Sequence, residues 1–258
     1  MRFFVNIWPI AVSDGYLDTI LNEIKKEWAI TSIHEIHLNY CGLRNYMIQI
    51  YRKEKWAGNF SNHFRGIPAK LNPCFAPDTP LYLVEFEADD TNSVLACKER
   101  IRKLCKHEKH SMHTSDTTEE YSLMKQILLH TPTIELMNRM ELDRNTAFTK
   151  SFSRLLKMIE KHNLDTEDFL IVSKACYFLF DRTYGMSSSF FNRKKVPLSW
   201  ITLSEKKLPP ALDGMNGNEF YHLINDFSEE IRQPQNHVSY CGISFAHKDI
   251  IKKMEQIT

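Results

Sequence analysis

The chain has 258 residues, with 33 Lys and Arg against 32 Asp and Glu, and a formal charge of +1, so it carries no strongly basic field of the kind that binds nucleic acid. A hydrophobic fraction of 43% and a charged fraction of 25% exclude a disordered chain and leave room for one large or two modest cores. With only 8 glycines, and neither G-x-G-x-x-G nor G-x-x-x-x-G-K-[ST], a Rossmann dinucleotide site and a P-loop are both disfavoured.

Residues 2–12 are rich in Phe, Val and Ile and predict a buried strand. One Arg precedes this apolar run and no small-residue cleavage site follows it, so it reads as a strand and not as a signal peptide. Residues 16–28 carry Leu17, Ile20, Leu21, Ile24 and Trp28 at helical spacing. A β-branched segment, 31–38, predicts a second strand, and 42–55 a helix with Leu43, Met47, Ile50 and Tyr51 on one face. Residues 58–80 hold Gly66, Pro68, Pro73, Pro77 and Pro80 and predict a long loop. Leu81–Glu87, with both faces apolar, predicts an interior strand. A helix over 91–105 capped by Asp90 or Thr91, an edge strand over 110–114 and a helix from 117 to about 129 follow. The order argues for an α/β layer structure.

Beyond residue 129 the pattern changes. Helices are expected at 134–142 and 147–162, a short strand at 169–172, a helix at 174–182 and an irregular stretch over 194–218. A hairpin around Cys241-Gly242 and a helix at 248–256 complete the chain. The expected fold class is α/β (α+β), divided into an α/β domain at 1–135, a helical connector at 136–165 and a smaller α+β domain at 166–258. No segment reaches the ~20 apolar residues of a membrane span. The six cysteines are scattered without C-x-x-C, the usage of a reducing compartment, and a cytoplasmic location is expected.

The densest polar cluster runs from Lys106 to Glu120. If it loops, His110, His113 and Asp116 converge, and a histidine beside a carboxylate is a general acid/base pair. The bland alternative is a solvated strand–helix junction in which Asp116 and Thr117 serve as the helix cap. His107, His110 and His113 recur every three residues, but no cysteine or fourth ligand lies nearby, so no metal site is expected. A second cluster places Arg44, Arg52 and Lys55 on or near one helix ending at Trp56, suited to a phosphate and a stacked ring or to a solvated helix face. Asn192-Arg193-Lys194-Lys195 with Lys206-Lys207 reads as a basic surface loop.

The runs GLRNYMIQIYRKEKWAGN, PCFAPDTPLYLVEFE and KHSMHTSDTTEE resemble a group of bacterial proteins encoded among capsule and O-antigen assembly genes. In that group the third run is close to K-H-S-x-H-x-x-D-T-x-E-E, matched here by Lys109, His110, Ser111, His113, Asp116, Thr117, Glu119 and Glu120. The resemblance covers most of the chain. The group's C-terminal part is similar to a nucleotidyltransferase core of the DNA-polymerase-beta type, with a strand, a small-residue turn, a helix and an Asp-x-Asp for magnesium. Here 169–172 matches the strand, Ser173-Lys174 the turn and 175–182 the helix, but Ser187-Ser188-Ser189 stands in place of Asp-x-Asp. Neutral hydroxyls do not replace two carboxylates as Mg²⁺ ligands, so this module is expected to be degenerate.

Cluster and resemblance together imply a cytoplasmic transferase of surface-polysaccharide assembly. It would move a glycosyl or phosphoryl-type group from a phosphorylated or nucleotide-activated small-molecule donor to a glycan acceptor. His110, His113 and Asp116 would form the acid/base centre, Arg44 and Lys109 would hold donor phosphates, and Glu119 would orient the cluster. The alternative is a non-catalytic protein that binds a nucleotide, a glycan or a protein partner. No nucleic acid and no membrane span are expected, and the cofactor is left open.

Overall fold

The structure, a computed structural model, describes residues 1–144, 146–162, 166, 169–171, 198–202, 220–222, 230 and 233–257. It divides into two compact units, Met1–Gly58 with Phe64–Leu129, and Asn59–His63 with His130–Thr258. Both mix helix and sheet, in keeping with the expected α/β class.

In the first unit β1 (Arg2–Ile7), β2 (Ile30–Ile36), β3 (Leu81–Glu87) and β4 (Met112–Thr114) form an antiparallel sheet in the order β2-β3-β1-β4. Helices α1 (Pro9–Ser13) and α2 (Leu17–Lys25) connect β1 to β2, and α3 (Tyr40–Tyr51) and α4 (Ile67–Leu71) lie between β2 and β3. Then α5 (Thr91–Leu104) connects β3 to β4, and α6 (Thr118–Leu128) follows. β3 lies between β1 and β2, and β1 between β3 and β4, so two strand–helix–strand pieces interlock as a split βαβ arrangement. Leu81–Glu87 is interior as expected, with Leu81, Leu83, Val84 and Phe86 all buried.

Two expectations need correction. β1 stops at Ile7 and does not run on to residue 12, because Pro9 has no N–H for the ladder but suits the first turn of α1. The stretch 58–80 is not all loop: it contains α4, again with Pro in its first turn. Gly66 precedes that helix where a Cβ would lie 1.8 Å from the Trp56 carbonyl oxygen, so only glycine fits.

Period-2 alternation gives β1 two different faces. Phe3, Val5 and Ile7 join Ile20 and Ile24 of α2 and Val94 and Ile101 of α5 in one core. Phe4, Asn6 and Trp8 point the other way, under α3 and α6. There Phe4 stacks on Tyr121 with ring centroids 4.5 Å apart, and the Asn6 amide donates to the Tyr46 hydroxyl. β4 is a three-residue edge strand paired with β1, and its His113 stands opposite Asn6 on this second face. The α6 cap is Thr117, not Asp116: its Oγ1 accepts the Glu120 N–H at 3.1 Å. Thr117→Ala should therefore cost about 1 kcal/mol in urea unfolding. Asp116→Ala keeps the cap, and its cost comes instead from the buried Lys98 ammonium it leaves without its carboxylate.

In the second unit α7 (Thr131–Arg139) and α8 (Thr146–His162) precede a mixed sheet of order β7-β6-β5-β9-β8. Its strands are β5 (Phe169–Ile171), β6 (Leu198–Thr202), β7 (Phe220–His222), β8 (His237–Tyr240) and β9 (Ile243–Ala246), followed by α9 (Lys248–Ile257). Phe152 of α8 packs on Tyr240 and Phe245, and Thr133 Oγ1 of α7 accepts the Ser239 N–H at 2.9 Å. The helices expected as a connector at 136–165 thus fall within this unit. β8 and β9 form the expected hairpin, turning at Cys241 (φ 53°) and Gly242 (φ 81°), the two positive φ values of a type I′ turn. β6 interrupts the stretch expected to be irregular, where L-S-W-I-T supplies aromatic and β-branched residues. The helix expected at 174–182, the Ser187–Ser189 run, most of the basic 192–207 stretch and Cys176 lie outside the described residues.

Among the described residues no helix is long and apolar enough to cross a membrane, and no three His, Cys, Asp or Glu gather to hold a metal ion. The described cysteines are all buried except the half-buried Cys41.

Candidate active site

His113 is the centre of the second face of the first unit. β4 projects it toward α3 and α6, and it is only 8% exposed. Its Nε2 lies 2.8 Å from Glu120 Oε1, and its Nδ1 lies 3.1 Å from the Tyr51 hydroxyl. The Trp8 and Tyr51 rings pack around the imidazole at 6.3 and 5.2 Å between centroids. Tyr51 in turn leans on the exposed Trp56, which carries the line Glu120–His113–Tyr51 toward the surface.

The charge states follow from the surroundings. Burial by itself would raise the Glu120 carboxyl, but the hydrogen bonds from His113 and the Asp116 N–H and the charge of Lys98 outweigh it and hold the group below its ordinary value. Glu120 is therefore an anion and can only accept. Burial, reinforced by Cys74, Tyr46 and Glu120, lifts the Tyr51 phenol well above its usual value, so it keeps its proton. Hence Nε2–H of His113 donates to Glu120 and Tyr51 O–H donates to Nδ1. A carboxylate on one nitrogen fixes the tautomer and stabilises positive charge on the ring, leaving Nδ1 as the basic, nucleophilic atom.

The structure distributes the other expected site residues differently. His110 ends a short 3-10 turn, and its Nδ1 lies 3.7 Å from Cys74 Sγ, so its ring partner is that thiol and not His113. Burial and the nearby Lys70, Lys109 and His107 push it down to about 4, which leaves it neutral at pH 7. Asp116 does not pair with a histidine: its carboxylate meets Lys98 Nζ at 3.0 and 3.3 Å, while its backbone N–H donates to Glu120 Oε2 at 2.8 Å. The strand-to-helix turn aims the Asp116 side chain outward, and the first turn of α6 brings Glu120 back over β4 in its place. Glu119 is exposed beside the α6 cap. Arg44 is 3% exposed on α3 and is not among the partners of His113. Lys109 is exposed, and its carbonyl oxygen accepts from Lys70 Nζ.

Glu120 and Tyr51 are the site residues that sequence reasoning did not select. Thr117-x-x-Glu120 is a capping-box pattern that turns its Glu back toward the preceding strand, a usable signal. No local pattern links Tyr51 to His113, 62 positions away.

No family model matches the chain, and no curated protein matches it. Among solved structures it is similar to the nucleoside diphosphate kinase of Aquifex aeolicus in an orthorhombic crystal form, at 17% identity over 48% of this chain and 91% of that one, with a TM-score of 0.32. It is also similar to a halophilic nucleoside diphosphate kinase from Halobacterium salinarum in complex with CDP, at 15% identity over 48% of this chain and 86% of that one, with a TM-score of 0.32.

Proposed function

We propose that the chain is a phosphoryl-type transferase in which His113 Nδ1 takes the group from an activated phosphorylated donor. The supporting observation is the carboxylate–imidazole–phenol line on the second face of the first sheet. Nδ1 attacks phosphorus, the P–O bond to the leaving group breaks, and the positive charge on the imidazole is stabilised by Glu120. Tyr51 O–H, displaced from Nδ1, then donates to a phosphoryl oxygen. In the second half an acceptor hydroxyl attacks phosphorus, the N–P bond breaks and the acceptor's proton passes to solvent. Glycosyl transfer is less well served. At this site Glu120 is held at both oxygens and Asp116 is held by Lys98, so neither carboxylate is free to take a proton from an acceptor hydroxyl.

Donor phosphates are assigned to Lys70, Lys109 and Arg102. Lys70 meets the Lys109 backbone, and Arg102 is close enough for its charge to act on both Tyr51 and Lys70. Arg102 Nε is buried with no hydrogen-bond partner. Service in surface-polysaccharide assembly, with a glycan acceptor, rests on the resemblance of the 109–120 run and is proposed with it. The non-catalytic alternative draws on the low exposure of His113 and the engagement of both its nitrogens.

The test offers the protein ³²P-labelled nucleoside triphosphates, sugar nucleotides and phosphoribosyl diphosphate, followed by an alkaline quench. The expected product is a base-stable, acid-labile label on the peptide containing His113, absent from His113→Gln. Donor binding with no label would replace the transferase reading with the non-catalytic one, and label that persists in His113→Gln would remove His113 as the group that takes the phosphoryl.

A further inference from the structure

We infer that Lys98 is a positioning residue for His113: by holding Asp116 it fixes the peptide N–H that aims Glu120 at the imidazole. The catalytic consequence rests on the function proposed above, but the structural link can be measured separately.

Lys98 is only 7% exposed on α5, and a lysine is seldom so buried unless it is paired. Its Nζ spans both oxygens of the Asp116 carboxylate, at 3.0 and 3.3 Å. Asp116 itself sits on the two-residue link between β4 and the α6 cap, where no ladder or helical bond restrains its side chain. Its N–H donates to Glu120 Oε2, and Glu120 Oε1 accepts from His113, both at 2.8 Å. A carboxylate tied at both oxygens has a fixed plane, whereas one tied at a single oxygen turns about its broad terminal torsion. Three elements, α5, the β4–α6 link and α6, thus converge on the orientation of one imidazole. Were the Lys98–Asp116 pair only a tie between α5 and that link, with Asp116 half-exposed, its worth would be the small one of surface pairs and nothing would reach His113.

The experiment compares wild type, Lys98→Met and Lys98→Arg. Methionine keeps the buried stem, and the Asp116 carboxylate it releases is already half in water, so the fold should survive, as a thermal melt will show. Long-range ¹H–¹⁵N correlation of the His113 ring, assigned against His113→Gln, reads the tautomer directly. Wild type is expected to show the Nε2–H tautomer alone, Lys98→Met a mixture, and Lys98→Arg the wild-type pattern again. In the transfer assay Lys98→Met should lose roughly 10–100-fold in kcat with KM for the donor little changed, recovered by arginine. A shifted tautomer in a chain that transfers nothing upholds the positioning role and removes the proposed function. An unchanged tautomer in Lys98→Met, or a mixture already present in wild type, overturns the inference whatever the activity does. If Lys98→Met does not fold, Asp116→Asn keeps the N–H but weakens the anchor; a tautomer mixture upholds the link and an unchanged tautomer overturns it.

Discussion

His113→Ala is expected to abolish phosphoryl transfer, because it removes the nitrogen that forms the N–P bond of the covalent intermediate. It should also destabilise the chain, since Glu120 would keep its charge in a mostly buried setting without its main partner, a loss of about 1–3 kcal/mol. His113→Gln separates the two effects. Its amide can still donate to Glu120, so most of the stability should return while transfer stays absent. Acid provides a further mark of the Glu120 charge. Because its carboxyl is held below the ordinary value of 4.5, the stability it contributes is fully present above that pH and is lost as pH falls through the lower folded value. Glu120→Gln should lose that dependence. Urea unfolding from pH 3 to 7 beside the transfer assay measures all of this, and wild-type transfer by His113→Gln would remove His113 from the mechanism.

Phe4→Ala is expected to cost about 3–5 kcal/mol, the largest stability loss foreseen here. Phe4 is fully buried in an interior strand and stacks on Tyr121 nearly in parallel, at 11° between ring planes. Its N–H donates to Ser115 Oγ and its carbonyl oxygen accepts the Ser115 N–H, each at 2.9 Å, so it anchors the β4–α6 corner through its backbone as well. Alanine keeps those backbone bonds but leaves a ring-sized void beneath α6. Since α6 carries Glu120, transfer should fall along with stability. A loss under about 1 kcal/mol in urea would mean that α6 does not depend on this stack.

How much of this was legible in the sequence depends on the range of the forces involved. The β3 strand was plain in L-Y-L-V-E-F-E because both faces of an interior strand are covered. The end of β1 was written in Pro9, yet the apolar run around it concealed the change from strand to helix. At the site His113 stood out, but its partner did not. Asp116, three positions on, looked nearer than Glu120, seven positions on, because the spacing ignores the reversal of direction at the strand–helix turn. His110 and Lys109 shared the motif but not the geometry, since the 3-10 turn carries His110 to Cys74. Tyr51 and Lys98 reach the site through tertiary packing of α3 and α5, which no local periodicity encodes.

The central place of β1 has a consequence for synthesis. This strand leaves the ribosome ahead of both its neighbours, and Phe4 and Ser115 are 111 positions apart. At about 5–20 residues per second the gap lasts roughly 6–22 s. β1 offers two unpaired edges until β3 is made and one edge from then until β4, with the apolar Phe3, Phe4, Val5 and Ile7, the kind of segment that invites aggregation and chaperone capture. The arrival of β4 closes the second edge and in the same event sets His113 opposite Asn6. A nascent chain halted before residue 112 already contains Tyr51 but has no His113 imidazole for it to meet.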